Sequence, residues 1–161
     1  MTIPEGLANR VDLLITDANG VPRGKTVESE TLDEAHLPRM AEAVLFQCIH
    51  GTYAEETMDD LNPKDEDLIL SPDWSTYRLT PWKDDSVGQV ICEAQDKEGD
   101  PITYDCRNVL KRVLERYEAK GLTPIVAPEI EFHLISAPTR GDQELEPGAG
   151  RPLYISDAVR S

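Results

Sequence analysis

The sequence predicts an α+β fold. Three stretches carry that prediction: an Asn19-Gly20 pair between two apolar runs, an apolar segment at residues 88–95 closed by a Gly turn, and an amphipathic segment at 105–121. The first two are strand signals and the third is a helix signal.

The chain opens with Val11-Asp12-Leu13-Leu14-Ile15-Thr16, turns at Asn19-Gly20 and resumes at Val21. Asn and Gly both tolerate positive φ, so the pair predicts a β-hairpin closed by a type I′ turn. The second arm carries Arg23-Gly24-Lys25, which reads as a solvated strand end rather than a small anion site. Next, Leu32, His36, Leu37, Met40, Ala41 and Val44 recur at roughly helical period, which predicts a short helix across the hairpin. His36 lies on that stripe as a partly buried helix residue and has no second ligand at i+4. The run Cys48-Ile49-His50-Gly51-Thr52-Tyr53 leaves His50 and Tyr53 polar around a glycine that permits a sharp turn, the pattern of a functional loop.

Residues 55–67 are dominated by acids but hold no Gly, which a calcium loop needs at its centre, so they read as a solvated acidic loop. A short strand is expected around Ile69, and Trp74 and Trp82 mark turns at the edge of the core. With residues 88–95 these strands make a small mixed sheet carrying one helix, the pattern of a β-grasp domain. After Pro101 the style changes. Asp105 stands as N-cap of a helix with Val109, Leu110, Val113, Leu114 and Tyr117 on one face, and Gly121 follows its end. The predicted division is residues 1–101 and residues 102–161.

Composition excludes several classes. The 31 Asp and Glu against 16 Lys and Arg give a formal charge of −15, which repels nucleic acid and anionic lipid. No apolar run is long enough to span a membrane. The N-terminus lacks the basic flank and apolar core of a secretory signal, so a cytoplasmic location is expected. Cys48, Cys92 and Cys106 match no disulfide framework or metal motif and read as reduced thiols.

Across residues 126–135, Glu129, Glu131 and His133 alternate with Ile130, Phe132 and Leu134. This period of two predicts a strand that sets both glutamates on one face, their Cα atoms about 6.5 to 7 Å apart. That spacing suits two carboxylates each holding its own hard cation, and equally describes a solvent-facing edge strand. Beyond Ser136 the chain is rich in Gly and Pro. One helix and one strand after the boundary cannot close a core, so the 161 residues are expected to be part of a longer chain.

The hairpin with Asp17-Ala18-Asn19-Gly20-Val21-Pro22-Arg23-Gly24-Lys25, then Pro72-Asp73-Trp74, Pro81-Trp82, the helix ending at Gly121 and Pro128-Glu129-Ile130-Glu131-Phe132 occur in that order. Together they resemble the N-terminal part of the glutamine synthetase family, especially its γ-glutamyl-polyamine synthetase-like branch. The resemblance implies a β-grasp domain followed by the start of a larger catalytic domain. It also implies that Glu129 and Glu131 each bind one Mg²⁺ or Mn²⁺. The implied reaction is ATP-dependent: the γ-phosphoryl group passes to glutamate, and ammonia or an amine then displaces phosphate from γ-glutamyl phosphate. A ring-shaped homo-oligomer is implied as well, with the nucleotide site and remaining ligands after Ser161, so that these residues alone are expected to be inactive. One departure concerns the acceptor. The family's ammonia users carry an Asp-Gly-Ser-Ser type loop, whereas here the nearest equivalent is His50-Gly51-Thr52-Tyr53. An imidazole cannot serve as the counter-ion of ammonium, which points to a larger amine, oriented by Glu55 or Glu56. A reading of a different class is a free-standing β-grasp interaction module whose acidic face recruits a basic partner.

Overall fold

The computed structural model describes residues 3–53, 56, 60, 64, 66–83 and 87–130. Strand β1 (Arg10–Thr16) pairs antiparallel with β2 (Pro22–Glu28), and β3 (Arg39–Ala41), β4 (Asp67–Pro72), β5 (Arg78–Leu79) and β6 (Val87–Gln95) complete one mixed sheet. Its order is β2-β1-β6-β4-β3, with β5 added to β6. The β1–β6 pair is the parallel one, and it sets Leu13 beside Val90 and Leu14 beside Ile91.

That register decides which face is buried. Val11, Leu13 and Ile15 of β1 project to the same side as Val90, Cys92 and Ala94 of β6 and meet Leu68 and Leu70 of β4. The opposite face is more open, with Ile91 41% exposed. Met40 of β3, with Val44, Leu45 and Ile102 from a short turn and a loop, closes the core, and Trp74 packs at its edge, whereas Trp82 stays exposed.

The hairpin is present, but its turn is not the expected type I′. The Gly20 N–H donates to Asp17 O at 3.0 Å and the Asp17 N–H to Val21 O at 3.1 Å, so Ala18 and Asn19 are the central residues. Gly20, at φ 79°, is the left-handed residue that follows them. A three-residue loop of this kind matches the twist of the strands as well as a two-residue one does.

The helix expected across residues 29–44 does not form. In its place are a 3-10 turn at Ser29–Thr31, the strand β3 and a second 3-10 turn at Glu42–Phe46. Pro38 explains the difference, because it lacks an N–H and its ring clashes with the preceding helical turn. Its carbonyl accepts instead from the Leu70 N–H at 2.9 Å, which carries the chain onto the sheet edge. His36 is therefore not a partly buried helix residue; it is exposed and its Nδ1 pairs with Asp33 Oδ2 at 2.7 Å. Of the acidic run, Glu56 and Asp60 are helical and exposed where a loop was expected.

Helix α1 (Cys106–Glu118) follows the linker as predicted. The Asp105 carboxylate accepts from the Asn108 N–H at 2.9 Å, and Gly121 at φ 65° ends the last turn. Its first turns are tied to the sheet: Asn108 Nδ2 donates to Ala94 O and Ile102 O, and Lys111 pairs with Glu93. Its apolar stripe, Val109, Leu110, Val113, Leu114 and Tyr117, remains 40–55% exposed. No described helix is long and apolar enough to cross a membrane.

Candidate functional site

Three pieces of chain converge at one end of the sheet: the β1–β2 turn, the turn that carries His50, and the start of α1. Asn19 Nδ2 donates to Gln47 O at 2.9 Å, joining the first two. The Cys106 thiol donates to Asp17 O at 3.7 Å, joining the first and third. Burial, followed by the charges of Asp105 and Asp17, pushes that thiol's pKa up, so Cys106 stays a thiol at neutral pH.

Arg23 is not the solvated strand end expected of it. Its side chain is fully buried, as is that of Asp17. Nε donates to Asp17 Oδ2 at 2.8 Å. Nη2 lies 2.6 Å from the same oxygen, and Nη1 has no hydrogen-bond partner among the described residues. The other carboxylate oxygen, Asp17 Oδ1, accepts the Asn19 and Val21 N–H groups at 2.9 Å each. The ion pair and the turn are thus one unit. Sequence reasoning missed it because the partner of Arg23 sits six residues away across the turn; an Asp at the first position of an Asp-x-x-Gly turn was the available signal.

His50 occupies the tip of a second tight turn. The Cys48 N–H donates to Thr52 O at 2.7 Å, the Gly51 N–H donates to Cys48 O at 2.8 Å, and Gln47 bridges Tyr53 in antiparallel fashion. Gly51 takes the left-handed conformation at φ 82°, as its predicted role requires. His50 and Ile49 point outward and are exposed, while Gln47 at the base is 1% exposed. This arrangement presents an exposed imidazole on a held backbone, able to accept or donate a hydrogen bond. Glu56 is exposed, and Glu55 lies outside the described residues.

The strand expected around Glu129 is absent from the part described. Residues 122–130 pair with no strand among the described residues, and Ile125, Val126 and Ile130 are 96%, 80% and 85% exposed. An extended segment becomes a strand only through a ladder with a neighbour, so the alternating pattern is not sufficient by itself. Glu129 is exposed and makes no hydrogen bond or ion pair with a described residue. Its carboxylate is therefore an available hard oxygen donor, which fits Mg²⁺ or Mn²⁺. Glu131 lies outside the described residues, and among those described no group of three or more His, Cys, Asp or Glu is placed to hold a metal.

Comparison with known proteins gives a consistent set of likenesses. The family model for the catalytic domain of glutamine synthetase matches residues 103–152. A glutamine synthetase of Pyrococcus horikoshii is 36% identical over 138 residues, covering 84% of this chain and 27% of that protein. The γ-glutamylputrescine synthetase PuuA of Escherichia coli is 29% identical over 138 residues, 85% of this chain and 29% of that protein. A glutamate–isopropylamine ligase of a Pseudomonas species is 32% identical over 127 residues, 74% of this chain and 27% of that protein. The chain thus spans 27–29% of the length of these relatives. Among solved structures, a GmaS/ADP complex superposes with a TM-score of 0.56 at 25% identity over 70% of this chain and 24% of that one. A glutamine synthase homolog gives 0.58 at 22% identity over 74% of this chain and 29% of that one, a likeness of fold.

Proposed function

Because the chain belongs to the glutamine synthetase family, we propose that it forms the amino-terminal part of an ATP-dependent glutamate–amine ligase acting through γ-glutamyl phosphate. The observation that carries this reading is that relatives of similar identity are named for glutamate ligation to different nitrogen donors, putrescine and isopropylamine among them. Residues 1–101 form the β-grasp domain and residues 102–161 begin the catalytic domain; the family match starting at residue 103 supports that division. As a part spanning 27–29% of the length of these relatives, these 161 residues are inactive by themselves.

Glu129 and Glu131 hold one Mg²⁺ or Mn²⁺ each. When bound, such cations neutralise charge on the phosphoryl group that ATP transfers to glutamate. His50 stands at the acceptor side. Its imidazole can hydrogen-bond a substrate amine, and it supplies no negative charge to hold ammonium. The acceptor is therefore an amine larger than ammonia. The working enzyme is a cytoplasmic, ring-shaped homo-oligomer.

The test is steady-state phosphate release by the full-length enzyme with ATP, glutamate and Mg²⁺, supplied with ammonium, putrescine or isopropylamine. We expect kcat/KM for one of the two organic amines to exceed that for ammonium at least about tenfold, a difference of about 1.4 kcal/mol. His50→Asp moves the ratio toward ammonium. Preference for ammonium in the wild type, with the ratio unmoved in His50→Asp, would overturn the acceptor assignment.

A further inference from the structure

Three turns in this chain share one backbone design: Asp17 to Val21, Cys48 to Thr52 and Asp96 to Asp100. In each, the first residue's N–H donates to the carbonyl of the fifth, and the fourth residue's N–H donates to the carbonyl of the first. The fourth residue is glycine every time, at φ 79°, 82° and 87° for Gly20, Gly51 and Gly99.

Two of the three are capped by their first side chain. Asp17 Oδ1 accepts the Asn19 and Val21 N–H groups, both at 2.9 Å. Asp96 Oδ1 accepts those of Glu98 and Asp100 at 3.0 and 2.8 Å. The turn that carries His50 has Cys48 at that position, and a thiol is only a weak acceptor. Its support comes from beneath. Gln47, 1% exposed, donates through Nε2 to Gly51 O at 3.0 Å, and its own carbonyl accepts from Asn19 Nδ2 at 2.9 Å. Asn19 belongs to the turn that Asp17 caps and that Arg23 locks through its buried ion pair. Rigidity built into the first turn is thereby passed to the second.

We propose that Gln47, braced by Asn19, is the positioning residue of the acceptor loop: in a turn without a carboxylate cap it holds the Gly51 carbonyl and sets where the His50 imidazole stands. This rests on the acceptor role of His50 argued above. Gln47 acts through the turn and does not touch the substrate. The site recruits an amine only when Gly51 O is held, because a turn without a cap samples other conformations and presents the imidazole for a smaller fraction of the time.

The experiment uses the full-length enzyme and two readouts: KM for the better of putrescine and isopropylamine, and hydrogen exchange of the peptide spanning residues 46–53. Gln47→Ala is expected to raise that KM and the exchange rate each about tenfold, the scale of one lost hydrogen bond, with KM for ATP unchanged. Adding Cys48→Asn installs a neutral counterpart of the aspartate cap used by the other two turns and returns both readouts to within about threefold of wild type, a rescue a merely structural defect would not show. Asn19→Ala, an exposed change, gives a smaller effect of the same sign if Gln47→Ala folds poorly. Unchanged exchange in Gln47→Ala overturns the proposal whatever His50 does. A KM that responds to His50→Ala but not to Gln47→Ala overturns it and leaves the acceptor role standing. If neither variant moves the amine KM, the acceptor role falls, and the positioning role falls with it.

Discussion

Arg23 Nε donates to Asp17 Oδ2 at 2.8 Å with both side chains fully buried, so the hairpin turn is anchored by a charge pair inside the protein. Such a pair is costly to break and cheap to replace, because removing one partner strands the other's charge away from water. Arg23→Met or Asp17→Asn alone is expected to lower stability by about 3 kcal/mol or more, and the double variant to lose less than the sum of the two. Urea unfolding of the four proteins measures the coupling; strict additivity would show that the pair contributes nothing as a pair.

Glu42 makes stability depend on pH near neutrality. Burial, and then the charges of Glu66 and Asp96, push its pKa up from 4.5 to about 7. The folded state therefore binds the proton more tightly than the unfolded state. Stability is highest when the carboxyl is protonated in both, falls as pH rises from about 4.5 to about 7, and is flat above. Tyr104 donates its hydroxyl to Glu42 Oε1, an acceptor that Gln would retain. Glu42→Gln should raise Tm by about 2–4 °C at pH 8, the shift about 1 kcal/mol produces in a chain of this size, and by less at pH 5. An equal shift at both pH values in a thermal melt would refute the linkage.

Two glycines are held for different reasons and should fail differently. A Cβ on Gly24 would lie 1.8 Å from the Leu13 carbonyl oxygen, an overlap that only backbone movement can relieve. Gly24→Ala is expected to cost about 3 kcal/mol or more and to loosen the β1–β2 pairing. At Gly20 a Cβ meets nothing within 4 Å, but φ is +79°, so Gly20→Ala should cost only about 1–2 kcal/mol. The ranking can be read from urea midpoints, and a Gly20 variant less stable than the Gly24 variant would contradict it.

Glu129 is a test of the cation assignment. In the full-length enzyme, Glu129→Gln and Glu131→Gln should each lower kcat/KM about 100-fold or more, and Glu129→Gln should leave Tm in the absence of metal within about 1 °C. The Glu129 carboxylate is exposed and without a partner among the described residues, so nothing in the fold is lost with it. Each variant should need more Mg²⁺ for half-maximal rate, and chelation should abolish turnover in all three proteins. A Glu129→Gln enzyme with unchanged Mg²⁺ dependence would remove Glu129 from the metal site.

What the sequence determined by itself was whatever neighbouring residues can specify. The Asn19-Gly20 hairpin signal, the Asp105 cap, the Gly121 stop and the strand signals at residues 11–16 and 88–95 each act within a few residues, and each stands where the residues indicated, the turn in a different type. Pro38 was legible too, as the residue that forbids a helix through 29–44, although the apolar spacing around it pointed the other way. The tertiary structure decided the rest. That β1 runs parallel to β6, that Arg23 is buried against Asp17, and that the Asn19 amide reaches from one turn to the Gln47 backbone carbonyl at the base of another are contacts between residues chosen by where the sheet folds them. Such contacts are stabilised only after the chain between them has closed, and no local propensity records that closure. The His50 turn shows both halves at once: Gly51 announces the bend, and only the packed sheet supplies the Gln47 and Asn19 amides that hold it in place.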